Sequence, residues 1–124
     1  MGVIKRVLDP LRLRRVPPQF NWIDHRLVRD RHIGRCSAEA LALYLFLAIV
    51  ADAQGLSYYS DATIVRLTPL GVTALERARR ELVAAKLIAY QKPLYQVLAL
   101  DPPRPASAQP QSLGEILRDM ERSR

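Results

Sequence analysis

Cysteine is nearly absent: Cys36 stands alone in 124 residues. No intramolecular disulfide framework can form, and a reducing, cytoplasmic setting is the expectation. Histidine is almost as scarce. His25, His32 and Cys36 do not match the paired short spacings of about four soft ligands that a structural zinc site uses, so no metal is expected. The few glycines form no phosphate-cradling loop, and neither H-E-x-x-H nor a serine elbow occurs. Without a nucleophile and base in a shared pattern, we expect no enzymatic activity and no cofactor. Apolar runs are short as well. The longest, Ala38 to Ala53, is interrupted by Glu39 and Asp52, below the roughly 18 residues a membrane span needs. Near the start, Asp9, Pro10, Arg12, Arg14 and Arg15 occupy the place of a secretory signal's apolar core, which argues against a leader.

Acidic charge is the last shortage, with 12 Asp/Glu against 19 Lys/Arg and a net charge of +7. The imbalance is local. Residues 1–35 hold nine basic against three acidic side chains, residues 36–100 six against five, and residues 101–124 four against four. A cationic leader of this kind favours a polyanion, because neutralising phosphates releases condensed counterions.

What is present divides into four parts. Residues 1–19 read as a flexible basic arm, with apolar positions alternating with Lys5, Arg6, Arg12, Arg14 and Arg15, broken by Pro10 and closed by Pro17-Pro18. Its rival reading, a membrane-surface segment, lacks a sustained helical moment. Residues 20–100 can furnish one core, since 49% of the chain is hydrophobic. Residues 101–111, with Pro102, Pro103, Pro105 and Pro110, form an extended linker. Residues 112–124 open with Ser112 and Glu115 as a capping box and carry Leu113, Ile116, Leu117 and Met120 at helical spacing. So short a helix is marginal alone in water, so it is expected to fold by docking on its own domain or on a protein partner.

Within residues 20–100, Trp22 is expected to anchor packing. Asp24 caps a helix running to about Ile33 and ended by Gly34, with Leu27, Val28 and Ile33 inward. Ser37 caps a longer helix, Ala38 to about Ala53, apolar nearly all round and therefore buried on several sides or shared with a dimer partner. Gln54-Gly55 stops it, Gly55 suiting a left-handed position. Leu56 to Tyr59 reads as a short strand.

The stretch Tyr58 to Leu100 organises the rest. Ser60 or Asp61 caps a short helix with Ile64, Val65 and Leu67 apolar, and Pro69 and Gly71 end it. Thr73 restarts the helix, with Glu76 completing a T-x-x-E capping box. Leu75, Ala78, Leu82 and Ala85 face a core, leaving Arg77, Arg79, Arg80 and Glu81 off that stripe. Residues 87–90 and 94–100 are strand-like and joined by Gln91-Lys92-Pro93. This succession of helix, turn, helix and hairpin resembles the winged helix-turn-helix domain over about residues 24–100. The phrase E-L-V-A-A-K-L-I resembles the ending of that family's recognition helix. The expected class is therefore mainly α with a small antiparallel sheet (α+β), with residues 56–59 completing a three-stranded sheet.

The resemblance implies double-stranded DNA as partner, read in the major groove by residues 73–86. Thr73, Ala74, Arg77 and Arg80 then face the bases, with Arg79 nearer the edge; for Thr73 the competing cap role is favoured. Long donors such as arginine suit guanine edges. Lys92 at the wing tip and Arg12, Arg14 and Arg15 of the arm would meet phosphates. A bacterial or phage transcriptional regulator, or a replication accessory factor of a mobile element, is the expected role, with a homodimer if the site is palindromic. The alternatives are a winged helix module that binds protein within a nucleoprotein complex, and an RNA-binding protein.

Overall fold

The computed structural model describes residues 2–101; the remainder of the expected linker and the helix of residues 112–124 lie outside the described residues. Among the described residues, four α-helices and three strands follow residue 25: α1 (Arg26–Arg29), α2 (Ala38–Val50), β1 (Leu56–Tyr58), α3 (Asp61–Leu67), α4 (Val72–Ala84), β2 (Ile88–Gln91) and β3 (Leu94–Val97). The class is α+β. Residues 2–20 are exposed throughout and carry only a 3-10 turn at Pro10–Arg12, whose start is capped by Asp9.

The first helix is much shorter than residues 24–33. Asp24 does accept from the Arg26 amide, but α1 buries only Leu27, while Val28 is 71% exposed. One apolar anchor cannot hold a long helix, and Arg31 adopts φ 63, which ends the run. Gly34 sits inside a second 3-10 turn, Ile33–Arg35, rather than terminating a helix. Trp22 is 72% exposed and anchors nothing. Its neighbour Asn21 ties the segment down instead, donating to the Ile49 and Ala51 carbonyls that the end of α2 leaves free.

The long helix starts as expected: the Ser37 hydroxyl accepts from the Ala40 amide at 3.1 Å. It ends earlier, at Val50, because the Asp52 carboxylate gathers the Gln54 and Leu56 amides into a tight turn. It is also not buried on several sides. Leu43, Leu47 and Ala40 are fully buried, whereas Leu45 and Ile49 are exposed, so one apolar flank is open.

β3 is the middle strand, antiparallel to both β1 and β2. Leu56 lies opposite Gln96 and Ile88 opposite Val97. Both hairpin strands shift from the expected bounds, and Tyr59 falls outside β1. Leu98 to Leu100 leave β3, although the Leu98 amide still donates to the Leu87 carbonyl. The two tyrosines divide: Tyr58 is exposed, while Tyr59 packs edge-on against Phe46 at 5.3 Å.

The core is one cluster in which Leu43, Leu47, Ile64, Leu75, Leu82, Ile88 and Tyr95 are buried. Each aliphatic member contributes roughly 1.5–3 kcal/mol by leaving water. In the short helix α3 only Ile64 is fully buried, and Leu67 is exposed. Among the described residues no helix is long and apolar enough to cross a membrane.

Candidate nucleic-acid interface

The turn between α3 and α4 sets how α4 is presented. The Ser60 hydroxyl caps α3 by accepting from the Thr63 amide, and the Thr68 amide and hydroxyl both return to the Ile64 carbonyl. Leu70, buried at 5% exposure, pins the turn to the core. α4 then begins at Val72 with Gly71 as the residue before it and no side-chain cap.

Thr73 therefore does not hold the capping position. The Gly71 carbonyl already accepts from the Leu75 amide at 2.8 Å, so the helix has started two residues before Thr73 can act as its boundary. No T-x-x-E box forms. Instead Thr73 and Glu76 both stand on the exposed surface of the first turns.

α4 has two faces. Leu75, Ala78 and Leu82 point into the core, as their spacing requires, whereas Ala85 lies beyond the helix end and is exposed. On the opposite side Thr73, Glu76, Arg77 and Arg80 are exposed, with Ala74 half-buried between the faces. Arg77 donates to Glu39 on α2 at 3.0 Å, both side chains being about half in water. An exposed pair of this kind is worth about 0–1 kcal/mol, so it restrains Arg77 only lightly. Arg80 makes no ion pair or hydrogen bond among the described residues.

Arg79 belongs elsewhere. Its side chain is 13% exposed and donates to both Asp61 oxygens, at 2.8 and 3.3 Å, and to the Tyr95 hydroxyl at 2.8 Å. The guanidinium carbon lies 4.5 Å from the centre of the Tyr90 ring, a cation–π distance. The Asp61 carboxylate holds its pKa above the ordinary arginine value. A guanidinium with its donors so engaged, and shielded from water, is a structural tie rather than a base reader. This corrects its placement among the DNA-contacting residues.

Lys92 is exposed in the two-residue loop between Gln91 and Leu94. Arg12, Arg14 and Arg15 are exposed in the arm. The structure thus brings Thr73, Arg77 and Arg80 onto one helix face, removes Arg79 from it, and leaves Lys92 and the arm arginines on other elements.

Two residues that position this face carry no sequence signal. Glu81 reaches from α4 to the Ser37 amide at 2.7 Å, locking α4 to the start of α2, and Glu39 neutralises Arg77 from the same end. Partners separated by 44 and 38 positions leave no local pattern to read. Nearby, burial and then Glu81 push the Cys36 thiol above its usual pKa, which disfavours the thiolate. Among the described residues no three His, Cys, Asp or Glu side chains gather as a metal site would need.

Comparison with known proteins adds no neighbour: no family model, no curated protein and no solved structure matches the chain.

Proposed function

We propose that this chain is a winged helix-turn-helix protein that reads double-stranded DNA in a sequence-dependent way. The observation that carries the reading is the outward face of α4, where Thr73, Arg77 and Arg80 stand together, away from the buried Leu75, Ala78 and Leu82. Two arginines four or fewer positions apart on one helix face are the donors that guanine edges accept best. The element order supports it too: α3, a short turn, α4 and a two-stranded hairpin whose sheet is completed by β1. At the start of α4 the backbone amides carry no side-chain cap, and with the positive end of the helix dipole they suit a phosphate. Lys92 serves as a second phosphate contact on the hairpin, and the arm carrying Arg12, Arg14 and Arg15 lies along the backbone or in the minor groove. The role is that of a regulator or replication accessory factor.

One observation favours a second reading, a protein-binding module. Beyond residue 35 the charge is close to balanced, and Trp22, Ile23, Leu45 and Ile49 leave apolar surface open. Selection of bound sequences from a random duplex pool, using the full chain, separates the two. Enrichment of one motif supports DNA reading, and palindromy in it would report a homodimer. Uniform retention of all duplexes, or equal competition by RNA, would overturn it.

A further inference from the structure

The flank of α2 turned away from the core carries Ala38, Ala42, Leu45 and Ile49, spaced four, three and four apart and so aligned along one side of the helix. On the opposite side Ala40, Leu43 and Leu47 are fully buried in the cluster shared with α4. Leu45 is 49% exposed and Ile49 58%. The flank holds no charge. Glu39, the single charged residue of α2, reaches aside to Arg77. Next to the flank, Ile23 and Ile33 share an apolar cleft of about 140 Å³ with Leu41 and Leu45, and Trp22 and Ala48 line a second cavity beside it. Apolar surface gathered in this way marks a docking face.

We infer that a second copy of this chain docks there, related by a two-fold axis so that the two α2 helices lie antiparallel, flank against flank. An interface of this symmetry must be self-complementary, residue i meeting j while j meets i. The order of side-chain sizes along α2 meets that demand. Alanines stand at its start and bulky aliphatics towards its end, at mirrored distances from the helix centre. The antiparallel arrangement therefore seats the partner's Ile49 on Ala38 and the partner's Leu45 on Ala42, and each contact occurs twice. Every large side chain enters the hollow over an alanine, ridge into groove. Charge selects the same occupant. Each copy carries +7, so like copies repel except where they meet through a surface without charge. The thirteen residues of α2 at about 1.5 Å each give a contact about 20 Å long. Trp22, Ile23 and Ile33 widen it towards the roughly 800 Å² per partner of a standard interface. The inference rests on α2 and its borders, and holds or fails independently of DNA reading.

Sedimentation equilibrium of the full chain over a dilution series tests it. The natural protein is expected to show twice the 14.1 kDa chain mass and to fall to the single-chain mass on dilution. Ala38→Lys and Ile49→Glu should each weaken association at least about tenfold. An equimolar mixture of the two variants should restore it, because one of the two 38–49 contacts in the mixed pair joins opposite charges while the other keeps its natural residues. A natural chain that stays single at every concentration would overturn the inference. So would association unchanged in either variant, which places the contact on another surface. A mixture no tighter than the separate variants would overturn it too, by denying the antiparallel register. Ala38 and Ile49 are both exposed, and far-UV circular dichroism matching that of the natural chain shows the fold intact. Should Ile49→Glu fail to fold, Ala42→Lys mixed with Leu45→Glu repeats the crossing nearer the axis, with the same outcomes deciding.

Discussion

Arg79 on α4 holds Asp61, the first residue of α3, through contacts of 2.8 and 3.3 Å across the turn that separates the two helices. The same guanidinium donates to the Tyr95 hydroxyl in the middle strand and lies over the Tyr90 ring in β2. One side chain therefore fixes both helices and the hairpin against each other, and with them the angle at which the Arg77–Arg80 face is offered. Asp61 also places negative charge at the start of α3, where the helix dipole favours it.

Removing that tie should cost more than an ordinary surface substitution. Arg79→Ala leaves the Tyr95 hydroxyl, on a residue with 0% exposure, without its donor, and we expect a loss of about 2–4 kcal/mol in urea unfolding. Arg79→Lys should recover little, because a point charge cannot serve two carboxylate oxygens and a phenol at once. Asp61→Ala should cost about 1 kcal/mol or less, since its side chain is 42% exposed and solvent screens it. Equal midpoints for Arg79→Ala and the natural chain would show the network to be incidental.

Gly55 offers a second stability test of a different kind. Its φ is +84, and a Cβ there would sit 2.5 Å from the Val97 carbonyl oxygen. The strand cannot retreat freely, because the Val97 amide donates to the Gly55 carbonyl at 2.8 Å. Left-handed backbone alone costs a substituted residue roughly 1–2 kcal/mol. With the collision added, Gly55→Ala should lower stability by at least about 2 kcal/mol in chemical denaturation. A loss under half that would mean β1 and β3 part easily.

What could be read from the residues was what is local. Ser37 and Ser60 cap their helices through amides three positions on, so their roles were visible in the chain itself, and Gly55 announced its turn by type. The inward stripe of α4 followed from spacing through Leu82 and failed at Ala85, where the helix had already ended. Thr73 misled because T-x-x-E describes a side-chain pattern, while the extended backbone of Gly71 decided where the helix began. Trp22 misled through its size: the segment is secured by the amide of Asn21, and the indole is left outside. Arg79 could not be told from Arg77 and Arg80, since its partners lie 18 and 16 positions away. Of the candidate interface, the helix and two of its arginines were legible; the side chains that hold it in place were not.

Acid should expose the role of Asp24. Hydrogen bonds from the Arg26 side chain and amide pull its carboxyl from 3.8 to about 2. A group with a depressed folded-state pKa stabilises the fold above its unfolded value, and that contribution disappears as pH falls through the folded one. Asp24→Asn should therefore melt below the natural chain at pH 7, with the gap closing between about pH 4 and pH 2. Circular dichroism melts at the two ends of that window check it. A gap that stays constant down to the lower end would assign the effect to something other than this carboxylate.

The arm and the helix should separate by salt. Each phosphate neutralised contributes about 0.9 to the slope of log affinity against log salt, so Arg12→Ala/Arg14→Ala/Arg15→Ala should lower the slope by about 2–3. Motif preference should stay unchanged, since phosphate contacts carry no base information. Fluorescence anisotropy on a specific and a scrambled duplex, over about 50–200 mM salt, measures both quantities. An unaltered slope would remove the arm from the interface.

Arg77→Ala/Arg80→Ala tests the proposed reading face itself. Both side chains are exposed, so stability should move by no more than about 0.5 kcal/mol, while each lost base contact costs about 1–3 kcal/mol of discrimination. The double variant should bind specific and scrambled duplexes alike. Glu39 gives the opposite sign. Because it pairs with Arg77 at 3.0 Å in water, Glu39→Gln frees the guanidinium and removes a negative charge beside the proposed DNA-binding face, so affinity should rise, by less than about fivefold for a pair this exposed. Opposite shifts from residues in direct contact cannot come from general weakening of the fold. If the specific-to-scrambled ratio stays as it was in the double variant, α4 does not read bases, whatever the arm does.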